Sequence, residues 1–234
     1  VALRGALADA LAPDCPNVTN VGRDMAQTLY DQVTGSRYGD RLRRWVGTWT
    51  HSDRSSEYDR GKGVTRRCEE LVNEAMRQPG LLEPELPWLV GIEAEHAGHF
   101  ARALGAADEG HFWLDRLLAV ADGERGAGVL GAYMGARWEA GDEAWVRDTL
   151  DEWVADAAVP GKAVLEVSRL LPPSRTQVDR LLALVGQGRL QRTDLTALAW
   201  GPFLAESPTS LVFQVVDVML QDEWRDRIGG LLMF

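Results

Sequence analysis

The sequence is poor in several residue types and patterns, and each gap closes off a class of function. Lysine occurs only at Lys62 and Lys162, against 23 arginines, a bias of genome composition more than of design. Cysteine occurs only at Cys15 and Cys68, in no C-x-x-C pair, which excludes a disulfide framework and a cysteine-rich zinc module; two reduced thiols are expected. No window approaches the roughly 18 consecutive apolar residues that a bilayer span requires, so no membrane association is expected. Strand signals are nearly absent too, because no run alternates in hydropathy between turn dipeptides. There is no Walker pattern, since Gly61-Lys62-Gly63 lacks both the upstream glycine and the Ser/Thr of a phosphate loop. Nor is there a G-x-S-x-G elbow, and His51 beside Ser52 and Asp53 is only a sequence neighbourhood, because triad partners meet in space. No catalysis and no cofactor are expected in this chain.

What is present reads as a folded helical protein. Hydrophobic residues make up 45% of the 234 positions and charged residues 26%, enough for a substantial core. The start, VALRGALADALAPDCP, has no Met, no basic leader and no small-residue cleavage pattern, so a cytoplasmic location is expected. Net charge is −10, and it is unevenly spread: residues 37 to 67 carry a local +5, leaving −15 on the remainder. An acidic body disfavours general nucleic-acid affinity, while one basic segment is left to dock on an anion or an acidic partner.

From Leu86 onward, segments of helical periodicity alternate with short Gly, Pro, Asp or Ser junctions. Asp108, Asp142, Ser174 and Ser207 each stand before a new helix, spaced by 34, 32 and 33 residues. Each can accept a hydrogen bond from a first-turn N–H. A period near 33 with two helices per period is the requirement for stacked helical hairpins. The first helices of these pairs are expected over Leu86 to Leu104, Ala127 to Ala140, Lys162 to Leu171 and Asp194 to Leu204. Over residues 143 to 157 the helical projection puts Val146, Leu150, Trp153, Val154 and Ala157 on one face, with Asp148, Asp151, Glu152 and Asp156 opposite. The segment after Ser207 is apolar almost all round, so something is expected to stack beyond it. The closing DRIGGLLMF reads as another helix cut short, and the chain is expected to be a fragment of a longer polypeptide.

Residues 1 to 80 fit the repeat poorly and are expected to form an irregular helical N-terminal region. Pro79, Gly80, Pro84 and Pro87 mark the break before the repeat region, residues 86 to 234. The fold expectation is therefore all-α: an α-solenoid of helical hairpins with an irregular helical N-terminal part. GQGRLQRTDLTALAWGPFLAESPTSLV and GAGVLGAYMGARWEAGDEAWV resemble the HEAT-like helical-repeat arms of large bacterial multidomain proteins, including signal-transducing NTPases of the defence type. The resemblance covers roughly residues 86 to 234 and implies a bacterial cytoplasmic scaffold whose nucleotide chemistry lies outside this chain.

Three readings of two sites compete. RLRRWVGTWTHSDRSSEYDRGKGVTRR offers Arg41, Arg43, Arg44, Trp45, Trp49, Arg54 and Arg67 as interaction residues, first for a protein partner or neighbouring domains of the same polypeptide. As a second reading, the same arginines and aromatics grip phosphates and stack bases of a nucleic acid. Third, Glu93, His96 and His99 on one helix, with His111 as a further ligand, suggest a metal-dependent enzyme. A catalytic zinc site takes three protein ligands, and a di-metal bundle takes Glu-x-x-His from two helices. No second copy exists, and two imidazoles on an apolar helix stripe among Leu89, Ile92, Phe100 and Ala103 are adequately explained as structural, so no metal is expected.

Overall fold

The computed structural model describes residues 37–47, 57–199 and 206–219, with isolated positions at 6–7, 19, 21–22, 25–26, 28–29 and 203. Among the described residues every regular element is helical and there is no strand, so the fold is all-α. No described helix is long and apolar enough to cross a membrane. The chain divides into two compact units, Val1–Val120 and Ala121–Phe234. The break expected at residues 80 to 86 falls inside the first unit, where the Arg116–Glu83 ion pair and the Trp113 Nε1 to Met76 Sδ contact of 3.3 Å bridge it.

The first unit contains α1 (Tyr38–Val46), α2 (Glu57–Arg77), 3-10 turns at Pro79–Leu81 and Glu83–Glu85, α3 (Leu86–Leu89), α4 (Ala97–Ala107) and α5 (Leu114–Val120). Its centre is α2 against α4. Cys68, Leu71, Val72 and Ala75 on α2, and Ala97, Phe100, Ala101 and Leu104 on α4, are all buried. Both sets follow the i, i+3, i+4, i+7 spacing of one helical face. Each Leu or Phe so buried contributes about 1.5–3 kcal/mol.

The single helix expected from Leu86 to Leu104 is two helices. Between them the N–H of His96 donates to the carbonyl of Val46 at 2.9 Å, at the end of α1. That bond takes a donor which a continuous helix would direct to residue 92, and it satisfies a carbonyl that α1 leaves open.

The second unit contains α6 (Gly123–Glu139), α7 (Glu143–Ala155), α8 (Gly161–Leu170), α9 (Arg175–Gly186), a 3-10 helix (Arg192–Ala199) and α10 (Thr209–Met219). Here α6 packs on α8 and α8 on the 3-10 helix, while α7 packs on α9 and α9 on α10. The expected faces of α7 hold in outline: Val146, Leu150 and Trp153 are buried, and Asp148, Asp151, Glu152 and Asp156 are exposed. Ala157 lies beyond the helix end and is exposed.

Two glycines end helices where only glycine fits cheaply. Gly141 (φ 101°) and Gly188 (φ 71°) are left-handed. At the first, Gly141 N–H bonds Trp138 O and Asp142 N–H bonds Arg137 O; at the second, Gly188 N–H bonds Val185 O and Arg189 N–H bonds Leu184 O. These paired bonds satisfy the last carbonyls of α6 and α9.

Of the four expected caps only Ser174 behaves fully as such. Its Oγ accepts from Gln177 N–H while Gln177 Oε1 accepts from Ser174 N–H. Asp142 stands at the start of α7 without capping it, because its carboxylate is taken by Arg137. Asp108 accepts from Phe112 and Trp113 N–H, but the helix starts only at Leu114, since His111 adopts φ 56°. Ser207 donates backward to the Phe203 carbonyl, and α10 begins at Thr209. On α10, Leu211 and Val215 are buried and Phe213 is 68% exposed.

Candidate functional site

The histidine cluster does not form on an apolar helix stripe. His96 sits just before α4, half-buried; His99 and Glu93 are exposed, and so is Ile92. The two imidazole centroids are 6.1 Å apart. Glu93 Oε2 accepts from the Trp88 indole N–H at 3.2 Å. Burial, and then the neighbouring His99, hold His96 below the ordinary histidine value, so it is less able to carry a proton. Among the described residues no three His, Cys, Asp or Glu side chains are placed to hold a metal.

The basic segment folds back on its own unit. Arg41 Nη2 lies 2.6 and 2.7 Å from the two Glu74 oxygens. Arg43 pairs with Glu85 at 2.6 Å and lies over the Trp88 ring. Trp45, half-buried, carries the Arg44 guanidinium 5.0 Å and the Arg67 guanidinium 5.2 Å from its centroid. Arg67 also pairs with Glu70 at 2.6 Å, and that bond holds the Glu70 carboxyl below its usual range. Such stacked guanidiniums stabilise by about 0.5–1 kcal/mol at exposed sites. Trp49 and Arg54 lie outside the described residues.

The structure brings together residues that the spacing arguments did not single out. A groove of about 290 Å³ in the second unit is lined by Glu124, Lys162, Glu166 and Asp194, contributed by α6, α8 and the 3-10 helix. Lys162 Nζ lies 3.0 Å from Glu124 and 3.6 Å from Asp194, and the Glu124 bond, then the Asp194 charge, raise its pKa. One lysine therefore ties α6, α8 and the 3-10 helix.

A second cleft, also about 290 Å³, is bounded by Trp138, Arg147, the Leu171–Pro172–Pro173–Ser174 junction, Thr176, Gln177 and Arg180. The Arg147 guanidinium lies 4.7 Å from the Trp138 centroid and pairs with Glu143 at 3.0 Å. Arg180 is 7% exposed; its Nε donates to Asp151 at 2.6 Å and its Nη2 to the Arg147 carbonyl at 3.1 Å. The Arg180 bond holds the Asp151 carboxyl below its ordinary value. The only sequence signal for this cleft is Pro172-Pro173 ahead of a Ser174 cap.

Comparison with known proteins returns no matching family model, no matching curated protein and no matching solved structure.

Proposed function

We propose that this chain is a protein-interaction arm of a larger bacterial cytoplasmic protein: an α-solenoid of HEAT-like hairpins that presents its faces to a protein partner or to neighbouring domains. One observation carries the reading. In the second unit, α6 packs on α8 and α8 on the 3-10 helix, α7 on α9 and α9 on α10, and their polar ties link residues about one repeat apart. Arg180 reaches the carbonyl of Arg147, Arg189 that of Asp156, and Lys162 the carboxylate of Asp194. Repeats held by nearest-neighbour contacts generate extended surfaces on which several weak contacts add. The first unit supports the same reading by its charge: Arg41, Arg43 and Arg67 are matched by Glu74, Glu85 and Glu70. Matched guanidiniums leave little net charge for a phosphate backbone.

The test is photo-cross-linking in the cells that express the protein, with the photoreactive residue placed in turn at Glu152, on the acidic face of α7, and at Arg43, on α1. The expected adduct is resistant to nuclease, sensitive to protease and of one defined mass. A nuclease-sensitive adduct at Arg43, or no adduct at either position, rejects the interaction arm.

A further inference from the structure

We propose that the joint between α1 and α4 is an acid-sensitive clasp: protonation of the His96 imidazole loosens the contact that fastens the end of α1 to the start of α4.

The joint has a named centre. The N–H of His96 donates to the carbonyl of Val46 at 2.9 Å, and Val46 is the last residue of α1 and is fully buried. The same residue starts α4, because its own carbonyl accepts from the N–H groups of His99 and Phe100 at 3.0 and 3.2 Å. One backbone position thus closes one helix and opens another, and its side chain titrates near neutral pH.

Three features of this position oppose a positive charge on the ring. The imidazole is half-buried, so an imidazolium there gives up part of its hydration. It stands immediately before the 11 residues of α4, at the positive end of the helix dipole. His99 lies in the first turn of the same helix with its ring centroid 6.1 Å away, so a second imidazolium repels the first. Glu95, exposed, acts in the opposite sense. Among the described residues the charges on the packed elements have other partners. On α1, Arg41 pairs with Glu74, Arg43 with Glu85, and Arg44 lies over Trp45. On α2, Arg66 and Arg67 pair with Glu70. In the turn before α4, Glu93 accepts from the Trp88 indole. The balance has the sign that this placement requires: burial, then His99, lower the proton affinity of His96 by more than Glu95 restores it.

Opening the joint exposes the ring and returns it to the ordinary histidine value of about 6.5. The open form therefore takes the proton first. Stability of the closed joint is complete above that value and is lost as pH falls from there through the lower value of the closed form. At about pH 5 an exposed carboxylate is still ionised, so the Arg41–Glu74 and Arg43–Glu85 pairs remain while the clasp weakens.

The proposal stands independently of the interaction-arm reading, because it is tested on the purified full chain alone. Nuclear magnetic resonance follows the two imidazoles through a pH titration and measures amide-exchange protection factors at about pH 7 and pH 5. The His96 ring is expected to titrate below the ordinary histidine value. Protection of the His96 N–H and of the last turn of α1 should fall at least about threefold at the lower pH, with α8 unchanged. His96→Gln keeps the backbone bond and cannot titrate, so it should abolish the fall. His99→Gln removes the neighbouring charge and should raise the titration of His96 and shrink the fall. A His96 ring that titrates at or above the ordinary value overturns the proposal, as does equal protection at the two pH values or an equal loss in α8. So does a fall that persists in His96→Gln; if that variant does not fold, an unchanged fall in His99→Gln decides against the clasp.

Discussion

The guanidinium of Arg189 donates from Nη2 to the carbonyl oxygen of Asp156, 2.6 Å away across 33 residues of sequence. The same side chain donates to the carbonyls of Trp153, Val154 and Val159 at 2.6–2.8 Å. Trp153 and Val154 belong to the last turn of α7, whose carbonyls have no partner within the helix, and a cation there complements the helix dipole. Arg189→Met is therefore expected to destabilise the chain by about 3 kcal/mol, less than the sum of four charged hydrogen bonds because they act as a unit. Arg189→Lys restores a point charge but not the fork, and should recover under half. Urea unfolding of the full chain measures both; a loss below about 1 kcal/mol in Arg189→Met would mean that water closes the end of α7 equally well.

Ser174 and Asp142 both stand at the start of a helix, α9 and α7, and do different work. Ser174→Ala should lose about 1 kcal/mol, the ordinary value of an N-cap. Asp142→Ala should lose about 3 kcal/mol, because it removes the charged hydrogen bonds that Asp142 accepts from Arg137, whose side chain is 4% exposed. Equal losses in chemical denaturation would reduce Asp142 to a cap.

These two residues also mark what the sequence made legible. Cap residues and the apolar spacing of Val146, Leu150 and Trp153 are local chemistry, written within a few turns, and they placed the start of α9 and the buried face of α7. The break between α3 and α4 was not legible, because it depends on an acceptor at Val46, 50 positions before His96 in the chain. The destinations of the arginines were hidden for the same reason: nothing near Arg41 names Glu74. His96 and His99 looked alike on a helical projection, and they part only because the helix starts after one of them. The cleft was the least legible feature, since residues 138, 147 and 171 to 180 are each ordinary until α6, α7 and α9 are packed.

Cys68 is fully buried on α2, and burial, then the charge of Glu69, pushes its thiol up to about 12. The folded state therefore disfavours the thiolate, and stability should decline as pH rises past the ordinary thiol value of about 8.5, where the unfolded chain begins to lose this proton. In a Cys15→Ser chain at about pH 8, an aromatic disulfide reagent should modify Cys68 only at the rate of unfolding. Modification within seconds in native buffer would contradict the burial of this face of α2.

Gly128 and Gly131 lie less than one turn apart on α6 and face different surroundings. A Cβ added at Gly128 meets nothing within 4 Å, whereas one at Gly131 lies 3.1 Å from Glu166 Cβ and 3.2 Å from its carbonyl carbon. The first position is helix interior with open space, so Gly128→Ala should stabilise the chain by about 0.5–1 kcal/mol through helix propensity and lost freedom of the unfolded state. At the second the same gain is opposed by the backbone of α8, which cannot swing aside as a side chain can. Glu166 itself is tethered to Arg169. Gly131→Ala should therefore be net destabilising, and Gly131→Leu more so, by forcing α6 away from α8. Thermal unfolding of the three variants gives the ordering directly. A gain in Gly131→Ala equal to that in Gly128→Ala would show that α6 and α8 do not meet as closely as their glycines allow.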